Sequence, residues 1–168
     1  MRVYPLYRET QHFRQLWLWL PVLFISLLSI YGLIQQLFLG IPFGSNPAPD
    51  TVLVIIAVVF GLMLPVFLYK TNLTTEVHSD GLYIRFFPFH LSFHKIALED
   101  IKGFEVRIYR PLRDYGGWGI RYGRQGKAYN VSGNRGVQLV LSDGKRLLIG
   151  SQKPEAFAEA LSLASGKR

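Results

Sequence analysis

Cysteine is absent from the 168 residues, which excludes disulfides, thiolate nucleophiles and cysteine metal ligands and suits a reducing compartment. Acidic residues are scarce, 11 against 19 Lys and Arg, for a formal net charge of +8. From Trp17 to Leu39 there is no charge at all, and Gln35 and Gln36 are the only strongly polar side chains; from Val52 to Tyr69 charge is absent again. A helix needs about 20 mostly apolar residues to cross about 30 Å of hydrocarbon at about 1.5 Å per residue, so both stretches read as membrane spans. No G-x-S-x-G elbow and no Walker lysine loop occurs, and the match begun by Gly117-Trp118-Gly119 fails at Tyr122. Nucleotide binding and serine nucleophilic catalysis lack support.

What is present divides into two unlike parts. A cleaved signal peptide would explain the basic residues Arg2, Arg8 and Arg14 before the first apolar run, but that run is longer than the usual apolar core and no A-x-A-like site follows it. Two soluble core helices would be apolar on every face, with only about a hundred residues left to wrap them. The expected organisation is a lead-in over 1–16, a first span over 17–39, a loop over 40–51, a second span over 52–69 and one small domain over 71–168. The loop carries three prolines and no Lys or Arg, whereas Arg2, Arg8 and Arg14 precede the first span and Lys70 ends the second. Lys and Arg concentrate on cytoplasmic flanks, so both termini are expected in the cytoplasm. Gly61 and Pro65 are expected to bend the second helix.

From Leu73 onward the apolar period becomes two. Leu82, Ile84 and Phe86 form one inward face, Phe104, Val106 and Ile108 another, and Val137, Leu139 and Leu141 a third. Turns at Ser79-Asp80-Gly81 and Asp143-Gly144 separate seven or eight short strands between Leu73 and Gly150, with no helix-length pattern between them. The sheet should be mostly antiparallel. The helical period returns only at Pro154, with Phe157, Ala160, Leu161 and Ala164 on one stripe. The fold class expected is therefore α+β: a transmembrane helical hairpin followed by a β-barrel or sandwich of about seven antiparallel strands, capped by a carboxyl-terminal helix.

This order of elements resembles the bacterial pleckstrin-homology-like domain, which has seven strands in two near-orthogonal sheets and a terminal helix. The turn Ile96-Ala97-Leu98-Glu99-Asp100-Ile101 looks like the connector common in that group. The stretches YRPLRDYGGWGIRYG, from Tyr109, and AYNVSGNRGVQLVLSDGKRLLIGSQKPE, from Ala128, are more specifically similar to a family of small uncharacterised bacterial membrane proteins with two spans. The resemblance implies fold, topology and a place in the bacterial cytoplasmic membrane; it transfers no catalytic residue.

The most unusual composition runs from Arg110 to Gly136. It interleaves Arg110, Arg113, Arg121, Arg124, Lys127 and Arg135 with Tyr115, Trp118, Tyr122 and Tyr129, and spaces seven glycines among them. Glycines permit close backbone approach and arginines fork onto phosphate or carboxylate, which suits an anion such as a phospholipid head group. The same composition also describes a docking loop for a membrane protein, or simply tight turns on a solvated cationic face. His90 and His94, read as one face of a strand with Ser92 between them, and the distant His78 do not make a convincing zinc set. Ser132 with a histidine and Asp114 has arbitrary spacing for a triad. A basic cytoplasmic face explains the charge without nucleic acid.

The function expected is a membrane-anchored, non-enzymatic binding or scaffolding module without a cofactor, engaging anionic lipid or a protein partner through Arg110–Arg135. The alternative is an accessory subunit or enzyme at the membrane surface, which would place a buried, perturbed acid or base in a cleft. Because only Lys70-Thr71-Asn72 separates the second span from the first strand, the domain is expected to lie against the bilayer whether or not it binds lipid.

Overall fold

The computed structural model describes residues 4–166; Arg2 of the basic flank lies outside them. The chain forms an α+β structure of two compact units. One unit joins the amino-terminal residues through His12 to the chain from Thr71 onward, and the other is Phe13–Lys70.

The second unit is a pair of long apolar helices, α1 (Leu16–Phe38) and α2 (Asp50–Lys70), of mean hydropathy 2.0 and 2.9. Each is long and apolar enough to cross a membrane, and most of its surface is uncovered by protein. The helices touch where side chains are small. Ser26 donates to Phe60 O at 2.9 Å on the facing helix, and a Cβ on Gly61 would lie 2.9 Å from Ile30 Cγ1. Residues Ala57–Met63 of α2 are π-helical, and the Leu64 N–H reaches back five residues to Val59 O. Pro65 has no N–H to continue the α pattern, so the wider turn directly before it takes the place of a lost bond. The two glutamines hold the connecting loop: Gln36 Nε2 donates to Ala48 O and Asp50 Oδ1 at 2.9 and 2.7 Å, and Gln35 Nε2 to Pro42 O at 3.2 Å.

The first unit contains two sheets. The four-stranded sheet has the order β1 (Tyr7–His12), β2 (Asn72–His78), β3 (Gly81–Phe87), β4 (His94–Ile96), all antiparallel. The five-stranded sheet has the order β5 (Ile101–Ile108), β8 (Arg135–Leu141), β9 (Arg146–Gly150), β7 (Gly126–Asn130), β6 (Gly119–Gly123). Among the described residues only the β7–β9 pair is parallel. A short helix α3 (Pro111–Tyr115) lies between β5 and β6, and α4 (Pro154–Ser165) closes the chain. The barrel half of the expectation fails: β4 pairs over three residues only and ends one sheet, β6 ends the other, and among the described residues no ladder joins them.

Strand periodicity is obeyed in β3 and β8. Leu82, Ile84, Phe86, Val137 and Leu139 are almost fully buried, as are Phe157 and Leu161 from the helix. The β5 face departs from expectation. Phe104 is half-buried, and Val106 and Ile108 are 39% and 70% exposed, although Phe104 and Val106 lie opposite the buried Leu139 and Val137. β5 is an edge strand, and a helix of 12 residues cannot cover its whole length.

The lead-in is part of the fold. Tyr7–His12 pairs with β2 along its whole length, from Tyr7↔Val77 to His12↔Asn72. Glu9 fastens it to the start of α4: its carboxylate accepts from Ser151 Oγ at 2.6 Å and from the Gln152 N–H at 2.8 Å. The Gln11 amide, buried, donates to Gly150 O at 2.7 Å.

Candidate functional site

The basic, glycine-rich stretch folds into α3 and the β6–β7 hairpin. Pro111 sits in the first turn of α3, the Asp114 carboxylate accepts from the Arg110 N–H at 2.8 Å, and Gly116, at φ +71°, ends the helix. Two glycines are demanded by close backbone approach. A Cβ on Gly123 would come 2.1 Å from Asp114 O, and one on Gly126, at φ +102°, would come 2.1 Å from Arg146 O across the parallel β7–β9 pair. Backbone packing, not an anion, occupies the space these two glycines leave.

The predicted basic residues do not gather in one place. Arg113 and Arg124 flank a cleft of about 470 Å³ with Asp114 and Gln125. Arg121 Nε donates to Trp118 O at 2.8 Å, and Trp118 Nε1 donates to Gly133 O at 3.2 Å, so this pair braces its own loop. Arg135 forms an ion pair with Glu155 on α4. Arg110 contributes its backbone to the α3 cap. Tyr122 and Lys127 of the expected set reach a second groove.

That groove, of about 480 Å³, opens between the β4 edge of one sheet and the β6–β7 and β8–β9 hairpins of the other. Its apolar lining is Ile96, Leu141 and Leu147, and its polar lining is His94, Tyr122, Lys127, Tyr129, Lys145 and Arg146. The Lys127 ammonium stands 4.6 Å from the Tyr129 ring centroid and 5.5 Å from that of Tyr122. Aromatic faces hold a cation in place without neutralising it. Lys145 reaches Asp143 at 2.6 Å, the one carboxylate bonded to a cation of the groove among the described residues.

A second concavity, lined by Phe89–His94, adjoins the groove and shares His94, Lys127 and Tyr129 with it. His90 and Ser92 lie in the β3–β4 loop, not on the strand expected for them, because β4 begins only at His94. The His90 ring meets Tyr129 edge-on at 5.5 Å, and burial, with the nearby Lys127 and His94, holds its pKa below the ordinary histidine value. His78 is elsewhere, bonded to Glu76 at 2.9 Å.

Sequence reasoning missed Lys145 and Arg146, and weighed His94 only as a metal ligand. The turn signal at Asp143-Gly144 was legible and fixes where Lys145 and Arg146 fall, but pairing of β9 with β7 is what brings them to Lys127. Chemically, the groove can hold an anion on three cations over an apolar floor.

One protein-family model, described as "Family of unknown function (DUF6141)", matches residues 3–166. No curated protein matches the chain.

Proposed function

The chain belongs to that family, and we propose that it is a membrane-anchored, non-enzymatic binding module whose β-rich head takes an anionic group in the Lys127 groove. In this reading α1 and α2 cross a bacterial cytoplasmic membrane. Arg8 and Arg14 precede α1, Lys70 ends α2 and the intervening loop has no Lys or Arg, which favours both termini in the cytoplasm. The pleckstrin-homology-like reading of the head is supported by strand arrangement. With the β6–β7 hairpin set aside, four strands and three strands remain in two sheets, followed by a helix.

The observation that carries the binding role is the convergence of Lys127, Lys145 and Arg146 on one groove with a single bonded acid among the described residues. A phosphate-bearing lipid head group is the ligand chemistry closest at hand for a head tethered at a bilayer, where each cation near an anionic leaflet contributes about 1 kcal/mol. The test uses the full chain in nanodiscs of neutral lipid, titrated with glycerol phosphate as a soluble head-group analogue. Saturable binding that weakens with salt and with Lys127→Ala is expected; absence of saturable binding in any salt would overturn the proposal.

A second reading, an accessory subunit docked on another membrane protein, is favoured by the exposed Val106 and Ile108 on edge strand β5. Co-purification of a stoichiometric partner, lost with Ile108→Asp, would select it.

A further inference from the structure

The β3–β4 loop has the sequence Pro88-Phe89-His90-Leu91-Ser92-Phe93, without an acidic residue. Leu91 is 80% exposed and Phe89 62% exposed, which is unusual for neighbouring large apolar residues on a water-facing turn. The turn is nonetheless held. The His90 N–H donates to Phe86 O at 2.8 Å, Phe93 lies under the Arg85 guanidinium at 4.7 Å, and the His90 ring rests on Tyr129. A rigid turn that keeps two large apolar side chains outward is built to present them.

The sheet register fixes which end of the head this turn occupies. His12 of β1 pairs with Asn72 of β2, and Asn72 pairs with Phe87 of β3. These three residues form one row, with strands spaced about 4.8 Å apart. From the first residue of that row the chain runs on through Phe13, Arg14 and Gln15 into α1; into the second it arrives from α2 through Thr71 alone. From the third it enters the exposed turn. Two peptide units span at most about 7 Å, so the covalent link from the second apolar helix into this row is short.

We infer that the Phe89–Leu91 turn dips into the lipid interface of the membrane that the two helices cross, and so fixes the head's orientation on the bilayer. The inference rests on the membrane-anchored reading above. Its occupant is lipid because Arg85, over the Phe93 ring, and Lys127, lining the same concavity as the turn, suit an anionic head-group layer, and because Phe and Leu are side chains that gain from entering acyl chains. An interfacial turn would also set the mouth of the Lys127 groove, which shares His94, Lys127 and Tyr129 with the concavity beneath the turn, at head-group depth.

The chain has no cysteine, so single-cysteine labelling needs no background substitutions. Full-length Leu91→Cys and Ser79→Cys would each carry an environment-sensitive fluorophore in liposomes. Ser79 is exposed in the β2–β3 turn, at the opposite end of the same strands. The expected result is blue-shifted emission from position 91 and quenching by spin-labelled lipid severalfold stronger than at position 79. Equal, water-like emission at both positions in chains that resist alkaline carbonate extraction would overturn the loop inference and leave the anchor intact. Emission at position 91 that is shifted but unquenched by lipid would also overturn it, since protein would then cover the turn. Chains that wash off in carbonate would instead sink the anchored reading itself.

Discussion

The Tyr7 ring lies flat on Phe157, with centroids 5.2 Å apart and planes 10° from parallel, so the first described strand and the last helix share one contact. The Tyr7 hydroxyl also meets Glu9 and Ser151. The β-rich unit is thus closed by residues from both ends of the chain, with the two apolar helices inserted between β1 and β2.

A head fragment beginning at Thr71 should accordingly be defective. It lacks β1, leaves the β2 edge unpaired and uncovers Phe157. Aggregation or a broad unfolding transition is expected, and restoring residues 4–12 through a flexible linker should recover a cooperative one by circular dichroism. In the full chain Tyr7→Ala should cost the head about 1–3 kcal/mol, from the lost stacking on Phe157 and the lost hydrogen bond to Glu9. Equal stability of the fragments with and without β1 would refute the role given to the strand.

Groove cations should act separately from the other basic residues. Lys127→Ala and Arg146→Ala are each expected to weaken anion binding about fivefold, equivalent to about 1 kcal/mol, with the loss shrinking at high salt. Arg135→Ala, which breaks the ion pair to Glu155, should leave the affinity unchanged and lower stability by no more than about 1 kcal/mol. Calorimetric titration of the three variants separates these effects.

Gly126→Ala should damage the groove through the backbone. The added methyl would meet Arg146 O at 2.1 Å from a residue at φ +102°, so the β7–β9 pairing must open. A loss of about 2 kcal/mol or more is expected, together with deprotection of the Ala128 and Tyr129 amides in hydrogen exchange.

Alkaline pH should weaken the head through Tyr109. Burial pushes its phenol up from 10.0 to about 12. The folded state therefore holds the proton more tightly than the unfolded chain, so this contribution is complete below about pH 10 and is lost as pH rises toward about 12. Denaturant unfolding measured between these limits should show a falling stability, and Tyr109→Phe should flatten the slope.

Within the helical unit, Gly61→Val should force the pair apart against Ile30 and cost about 1–3 kcal/mol, whereas Ser26→Ala removes one interhelical bond for about 0.6 kcal/mol. Unfolding of the reconstituted chain by graded detergent denaturation would order the two variants.

Local pattern was enough for the elements whose side chains face one environment along their whole length. The uncharged runs gave both apolar helices, the period-two stretches gave Leu82, Ile84, Phe86, Val137 and Leu139 as core, and the stripe Phe157-Ala160-Leu161 gave the closing helix. β1 was illegible because TYR-ARG-GLU-THR alternation in Tyr7–Thr10 is polar on both faces. It is a strand because β2 offers it an edge, and because the Glu9 and Gln11 side chains find hydrogen-bond partners at Gly150, Ser151 and Gln152.

By itself, then, the sequence determined which segments are oily, which are pleated and which charge dominates, since each of these is a property of near neighbours. Only the tertiary structure decided that the lead-in belongs to the β-rich unit. It alone scattered the arginines of 110–135 and set Lys127 beside Lys145 and Arg146. Those outcomes depend on pairing between strands far apart in the chain, and pairing is chosen by which edges and faces remain open once the core has closed.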